Sequence, residues 1–416
     1  MGTILLVSHA FPPPITQGSR RSAGLAKYLR RIGYRVIVLS SRATGTPSSD
    51  PGEDVIRTFD LLGTRANWRR RNISAHEGRA AGHYSARPSR LSSVLVPDAA
   101  AFTWIPFARL AAARLARRER IDSVITTAIP QSVHLIGAGL SRNRVPWIAD
   151  LRDGWRFESP RERLWGIPDR LDSSLERRLL RRADHVVTVS EPISQDLRDR
   201  LGIVASTISN GYDSEAEIGP SLDGVLDKGR HSIVYTGRFA AGQRSPIPLV
   251  DAVKLILGRH PEDAARLEVV LAGPVTEEER ELFRQPQLRG SLRHLGNLPR
   301  GEALWLQSRA DSLLVVTAGA RRGEITGKLF EYMHAGHPIL VLGPETEAAR
   351  IVTGSGAGSA VPADDPERIA VALLALVRGE APGFDAQRLE TAAREYSQDT
   401  IAERMAAVVE SVRRAG

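Results

Sequence analysis

The sequence predicts an α/β protein with two doubly wound sheets of parallel strands. Two observations predict it. Short β-branched runs alternate with longer segments of helical period, and that alternation builds parallel sheets crossed by helices. A stretch rich in Gly, Ser, Asp and Asn, "ISNGYDSEAEIGPSLDGVLDKGRH" at 208–231, then divides the series in two. At 416 residues the chain is long enough for two cores. The reading places an N-terminal domain at 1–207 and a second domain at 208–390. A C-terminal helix at 391–416 is expected to pack back toward the first.

In the first half, "TILLVS" (3–8), "RVIVLS" (35–40), "DSVITT" (122–127), "PWIADL" (146–151) and "DHVVTV" (184–189) read as buried strands. Between the first two, Leu25, Tyr28, Leu29 and Ile32 share one face of a helix that Gly33 stops. Leu171, Leu175 and Leu179 mark a second helix. The segment 64–98 breaks the alternation: it is basic, carries Trp68 and Tyr84, and has no clear period. A long irregular insertion of this kind is usually functional or disordered. In the second half the strands are "SIVYTG" (232–237), "LEVVLAG" (267–273), "DSLLVVT" (311–317) and "PILVLG" (338–343). The end, 385–416, reads as helical throughout, with Met405, Val408, Val409 and Val412 at helical spacing. Ligands of doubly wound sheets bind beyond the carboxyl ends of the strands. Two such domains facing each other would place one central cleft between them.

Composition narrows the function. There is no cysteine, which removes disulfides, zinc fingers, iron–sulfur sites and thiol nucleophiles. The ten histidines form no HxH or HExxH cluster, so no metal site is expected. No apolar run approaches the ~18–20 residues needed to cross a bilayer. The N-terminus lacks the basic region and cleavage site of a secretory signal, so the expectation is a cytoplasmic protein. The formal charge is +9 with a pI of about 10.3. Nucleic acid, an anionic membrane surface or phosphorylated small molecules could each use that charge. So could plain solvation of Arg-rich helix faces. No nucleic-acid motif supports the first, and no nucleic acid is expected as a partner.

The chemistry concentrates in "GEITGKLFEYMHAG" (323–336). Gly327 and Lys328 open an apolar helix, but the spacing and the residue after the lysine are not those of a Walker loop. A helix start offers N–H groups and a positive dipole end to an anion, and glycine lets that anion approach. Arg238, directly after Gly237 at a strand end, and Arg244 add two guanidiniums suited to a diphosphate. Glu331, one turn beyond Lys328, suits a ribose diol, as acidic residues do in dinucleotide sites. Each has a plainer reading: a turn glycine, solvated basic side chains, and a glutamate favoured near a helix start.

Together these residues carry a resemblance. "ILLVSHAFPPPITQGSRRSAGLAKYLRRIGYRVIVLS", "VTVSEPISQDL…ISNGYD", "YTGRF…R", "LAGP", "HLGNLPR" and "GKLFEYMHAGHPIL" stand in the order found in the retaining glycosyltransferases of family 4. The chain resembles that family over most of its length. The resemblance implies the GT-B fold of two Rossmann-like domains, the second holding a nucleotide diphosphate sugar. It places Arg238 and Arg244 on the diphosphate, with Gly327 and Lys328 at the phosphate-facing helix start. Glu331 falls on the ribose, and the loop of Asn297, Leu298 and Pro299 on the base. Gly237 and Leu329 belong to the same donor site, and Gly18 approaches from the first domain. Many members carry Glu-x7-Glu; here that earlier position is Gly323, with Glu324 one residue off.

On the acceptor side, "PWIADLRDGW" brings Asp150, Arg152 and Asp153 to a strand end where the family often has a histidine. Asp153, past the strand, is the favoured group to take or orient the acceptor hydroxyl proton. An Asp–Arg structural pair is the plainer reading. Arg238, Arg244, Lys328 and the helix dipole would stabilise the departing diphosphate, so no metal or other cofactor is called for. Retention of anomeric configuration is implied by the resemblance alone. The cluster of Trp68, Arg69, Arg70, Arg71, Arg79, Arg87 and Arg90 suggests an anionic membrane surface and a lipid-linked or cell-envelope acceptor. Two other classes stay open: a nucleotide-sugar epimerase of similar fold, and a non-catalytic partner subunit.

Overall fold

The computed structural model describes residues 2–12, 17–44, 54–61, 95–158, 166–239, 244–288, 290–317, 321–323 and 325–415. The basic cluster from Trp68 to Arg90 lies outside the described residues, as does Glu324. The chain divides into one compact unit of 1–209 with 398–416, and a second of 210–397. These boundaries lie two residues later than expected at the first crossing and seven later at the return.

The first unit contains β1 (Thr3–Ser8), β2 (Arg35–Ser41), β3 (Val55–Thr58), β4 (Ser123–Thr127), β5 (Trp147–Leu151), β6 (His185–Thr188) and β7 (Ser206–Thr207). They form one sheet in the order β3-β2-β1-β4-β5-β6-β7, every pairing parallel. Its helices are α1 (Gln17–Ile32), α2 (Ala100–Thr103), α3 (Ile105–Arg118), α4 (His134–Leu140), α5 (Ile167–Leu180) and α6 (Glu191–Leu201). Inner strands such as β1, β4 and β5 are buried along nearly their whole length. That follows from helices covering both faces, and it explains why these strands read as unbroken apolar runs.

The second unit contains β8 (His231–Thr236), β9 (Leu267–Ala272), β10 (Leu292–His294), β11 (Ser312–Val316), β12 (Ile339–Leu342) and β13 (Gly358–Val361). Its sheet, also parallel, runs β10-β9-β8-β11-β12-β13. The helices are α7 (Ile247–Arg259), α8 (Pro261–Arg266), α9 (Glu277–Phe283), α10 (Arg300–Arg309), α11 (Gly327–Ala335), α12 (Glu347–Ser355), α13 (Pro366–Val377) and α14 (Ala386–Arg394). Two apolar clusters sandwich the sheet, one centred on α7 and α13 and the other on α11 and α12.

The last helix, α15 (Gln398–Ala415), belongs to the first unit. Met405 and Val409 are fully buried in the cluster that holds Leu25, Tyr28 and Leu29 of α1. Tyr34 donates its hydroxyl proton to Glu410 at 2.6 Å. One sequence expectation changes here. The region 385–416 is not one helix but two, because residues 395–397 break it before α15 starts. The helix marked by Leu171, Leu175 and Leu179 is α5, on which Leu171 is exposed while Asp172 and Glu176 are buried. An i, i+4, i+8 row drifts ~40° per step around a helix, so its far end leaves the packed face. The buried carboxylates are satisfied instead. Asp172 accepts from the Trp155 indole at 3.1 Å, and Glu176 takes a forked pair from Arg200 at 2.7 and 2.8 Å.

Candidate functional site

In the second unit the residues named from the sequence gather at the carboxyl edge of β8 and β11. β8 ends at Thr236, and Gly237 and Arg238 turn away from it. The turn is tight. A Cβ on Gly237 would stand 2.1 Å from the Tyr235 ring, and one on Gly273 would stand 2.0 Å from the Gly237 carbonyl oxygen. Gly273 also has φ +139°, a conformation only glycine adopts without strain. The turns after β8 and β9 therefore touch backbone to backbone. Tyr235 donates to the Arg238 carbonyl at 2.9 Å, and the Arg238 side chain is exposed. Arg244 is partly buried and hydrogen-bonded to Tyr235; burial pulls its guanidinium below the usual range, with the neighbouring Arg321 acting the same way.

The start of α11 stands beside this turn. Thr326 precedes the helix in extended conformation and does not cap it with its side chain. The space where a Cβ on Gly327 would point is open to 4 Å. An anion could approach the N–H groups of this first turn, with Lys328 as the second helical residue. What fixes α11 to β8 is a tyrosine. The Tyr332 hydroxyl accepts from the Thr236 N–H at 2.8 Å and lies 3.0 Å from Thr236 Oγ1, which also accepts from the Gln307 amide at 2.8 Å. Burial pushes the Tyr332 phenol up to about 12, so it stays protonated. The arginine turn and the helix start are thus held by one buried hydrogen-bond network.

Glu331 lies at the same end of the helix and is largely buried, with 9% of its side chain exposed. Arg300, the first residue of α10, donates to its Oε1 at 3.2 Å. Asn297 is exposed and Leu298 packs against the core on the strand-to-helix loop that precedes α10. Next to that loop, a cavity of about 320 Å³ is lined by Arg280, Phe283, Arg284, His294, Leu295 and Gly296. Leu329 departs from expectation. Its side chain is fully buried in the apolar cluster and its N–H is taken by the Thr326 carbonyl at 3.0 Å, so it is a core residue. Of the residues that these hydrogen bonds join, Arg300 and Tyr332 lie in the segments "HLGNLPR" and "GKLFEYMHAGHPIL" singled out from the sequence, though neither was named as a site residue, and Gln307 lies in none.

In the first unit the carboxyl edge is occupied by paired charges. Asp150, the penultimate residue of β5, has no exposure and takes a fork from Arg21, Nε at 2.9 Å and Nη2 at 2.7 Å. Arg21 also donates to the Ser209 carbonyl at 2.8 Å. Asp150, read from the sequence as lying at the ligand edge, is therefore an internal counter-ion. Behind it, His134 is buried, stacked on Trp155 at 5.9 Å and 2.8 Å from Thr126 Oγ1. Burial lowers the His134 pKa to about 4, with Asp150 opposing. Arg152 is mostly buried, and desolvation lowers its pKa while Asp153 and Asp150 oppose. Asp153 lies 4.0 Å from Arg152 with 45% of its side chain exposed. His9 stands 2.8 Å from the buried Asp60, which also accepts from Ser41 at 3.0 Å. Gly18 is the second residue of α1. Among the described residues, no group of three His, Cys, Asp or Glu side chains is placed to hold a metal ion.

Residues 18–216 match the family described as Glycosyltransferase Family 4, and residues 230–379 match Glycosyl transferases group 1. A phosphatidyl-myo-inositol mannosyltransferase of Mycolicibacterium smegmatis is 29% identical over 236 residues, 55% of this chain. The match takes in 58% of that relative's length. Among solved structures, a sucrose-phosphate synthase from Thermosynechococcus elongatus has a TM-score of 0.67 at 15% identity, covering 100% of both chains. HepE of Anabaena, solved in complex with UDP, has a TM-score of 0.62 at 15% identity, covering 99% of this chain and 100% of that one. Those two likenesses concern the fold. Two matched regions spanning both units, on two parallel doubly wound sheets, lead to one conclusion: the chain belongs to glycosyltransferase family 4, a family of enzymes with the GT-B fold.

Proposed function

We propose that the protein moves a sugar from a nucleotide diphosphate sugar to a hydroxyl acceptor, with retention of configuration and without a metal. The observation that supports this reading is the hydrogen bonding of Tyr332, within α11, to Thr236 at the end of β8. It ties the helix that opens on Gly327 and Lys328 to the strand that leads into Gly237 and Arg238, and a diphosphate would use a helix N-terminus with a guanidinium nearby. As the sugar–phosphate bond breaks, negative charge grows on the leaving diphosphate. Arg238, Arg244, Lys328 and the helix dipole would stabilise that charge as it develops. Glu331 accepts from the ribose hydroxyls, with Arg300 holding the carboxylate, and the Asn297–Leu298 loop meets the base. Asp153, the exposed carboxylate beyond β5, orients the acceptor hydroxyl or takes its proton.

The acceptor in this reading is lipid-linked or part of a cell-envelope glycan. The name of the mycobacterial relative, which couples mannosyl transfer to phosphatidyl-myo-inositol, supports it. The test is a thermal-shift panel of nucleotide diphosphate sugars, since a bound donor raises stability by mass action, ~2.7 kcal/mol at a hundred times Kd. One donor should give a clear shift in the parent, and Arg238→Ala and Glu331→Ala should shrink it. A shift that survives unchanged in both variants would place the donor elsewhere.

A further inference from the structure

The outer face of α3 combines features that nothing in the donor chemistry uses. Its inner face is accounted for: Ile105, Ala108 and Ala112 are buried against the first unit's sheet. The opposite face carries Phe107 and Leu110, 43% and 51% exposed, and Phe102 on the preceding turn is 62% exposed. Phe59 and Leu61, at the end of β3, are exposed as well. The patch is continuous across elements, because the Phe59 and Phe107 rings meet edge to face with centroids 5.2 Å apart. Single exposed apolar residues are ordinary, but a group of three phenylalanines and two leucines is not.

Further along the same helix the surface turns basic. Arg114, Arg117 and Arg118 are exposed one to two turns beyond Leu110. The span from Phe107 to Arg118 is about 16 Å at the helical rise. Between residues 99 and 118 there are four arginines and no Asp or Glu. The carboxylates that flank this stretch in the sequence are engaged: Glu119 pairs with Arg35 at 2.7 Å, and Asp98 accepts from Ser132 at 2.7 and 2.9 Å. An aromatic end that prefers hydrocarbon beside an exposed cationic end is the pattern of a helix lying in an anionic lipid interface.

The geometry points to α3, with Phe59, Leu61 and Phe102 beside it, as a docking face for an anionic bilayer. Phe102, Phe107 and Leu110 enter the boundary between head groups and acyl chains, and Arg114, Arg117 and Arg118 meet the lipid phosphates. This face is separate from the basic insertion singled out in the sequence. It deepens the reading of a lipid-linked acceptor, and it would serve that reading by holding the enzyme where such an acceptor lies.

The experiment is co-sedimentation of the full chain with phosphatidylcholine vesicles, with and without phosphatidylglycerol. It needs neither donor nor acceptor, so its outcome is separate from that of the donor thermal shift. The parent should bind the anionic vesicles and lose binding as salt rises. Neutralising arginines in Arg114→Gln/Arg117→Gln/Arg118→Gln should weaken partition roughly five-fold per residue. Phe107→Ser/Leu110→Ser should weaken it on the order of ten-fold by removing buried apolar area. All these positions are exposed, so both variants should keep the parent's melting temperature and its donor shift. Equal binding by parent and variants overturns the proposal. So does a parent that ignores vesicles but sediments as a dimer that Phe107→Ser/Leu110→Ser disperses, because the occupant would then be a second copy.

Discussion

The carboxyl edges of the two sheets are built from the same parts and spend charge differently. In the first unit, Arg21 is matched to Asp150, Arg152 stands beside Asp153, and His9 beside Asp60. In the second, Arg238 is exposed, Arg244 is hydrogen-bonded to the neutral Tyr235, and Arg300 donates to Glu331 at 3.2 Å. A guanidinium forked to a buried carboxylate, as Arg21 is, serves the fold. One that stands exposed keeps its field for an anionic ligand. Both edges are arginine-rich, so composition alone would not separate them; the separation lies in burial, with Arg21 buried and Arg238 exposed.

That contrast can be broken by substitution. The largest effect is expected at the buried pair. Asp150→Ala leaves Arg21 without its fork and should cost ~3–5 kcal/mol of stability in denaturant unfolding, while donor affinity per folded molecule stays unchanged. A loss below ~1 kcal/mol would mean the pair is not structural. Next comes pH. His134 is held near pKa 4 when folded, against 6.5 ordinarily, so between those values the unfolded chain binds the extra proton. Stability is complete above about 6.5 and falls by roughly 3 kcal/mol as pH drops toward 4. His134→Gln should flatten that window, and an unflattened profile would assign the titration to another group.

Smaller effects sharpen the functional side. On the proposed role of Asp153 in handling the acceptor proton, Asp153→Asn should lower kcat about a hundredfold with little change in donor Kd. Equal losses in kcat and donor affinity would remove that role. Arg238→Ala should weaken donor binding by ~1.5–3 kcal/mol, as for a charge-assisted contact, with stability within ~0.5 kcal/mol. If instead the protein melts and binding per folded molecule holds, the second edge is as structural as the first. Tyr332→Phe leaves the Thr236 N–H without its acceptor and should cost about 1 kcal/mol in stability. A softer loss of donor affinity should follow as α11 loosens from β8.

Sequence reasoning saw some of this and not the rest, for a physical reason. All nine strands read from the sequence are interior strands, buried on both faces by helices. The four it missed, β3, β7, β10 and β13, are the four sheet edges. Burial on both faces writes an apolar run, and edges are short and half-wet, so they write none. The site divides the same way. Gly237-Arg238 and Gly327-Lys328 are local patterns and were legible. The Tyr332–Thr236, Gln307–Thr236 and Arg300–Glu331 contacts join residues 96, 71 and 31 positions apart. No local pattern records those partners, and Tyr332 reads as one more apolar position on its helix.

The return of α15 to the first unit has a consequence for how the chain is made. Residues 210–397 are contiguous and hold their whole core within themselves. The first unit does not, because Met405 and Val409 fill the cluster around Leu25 and Leu29. During synthesis the first unit therefore cannot close its core until α15, which follows the whole second unit, has left the ribosome, and until then the face of α1 that α15 covers stays open to other apolar surfaces.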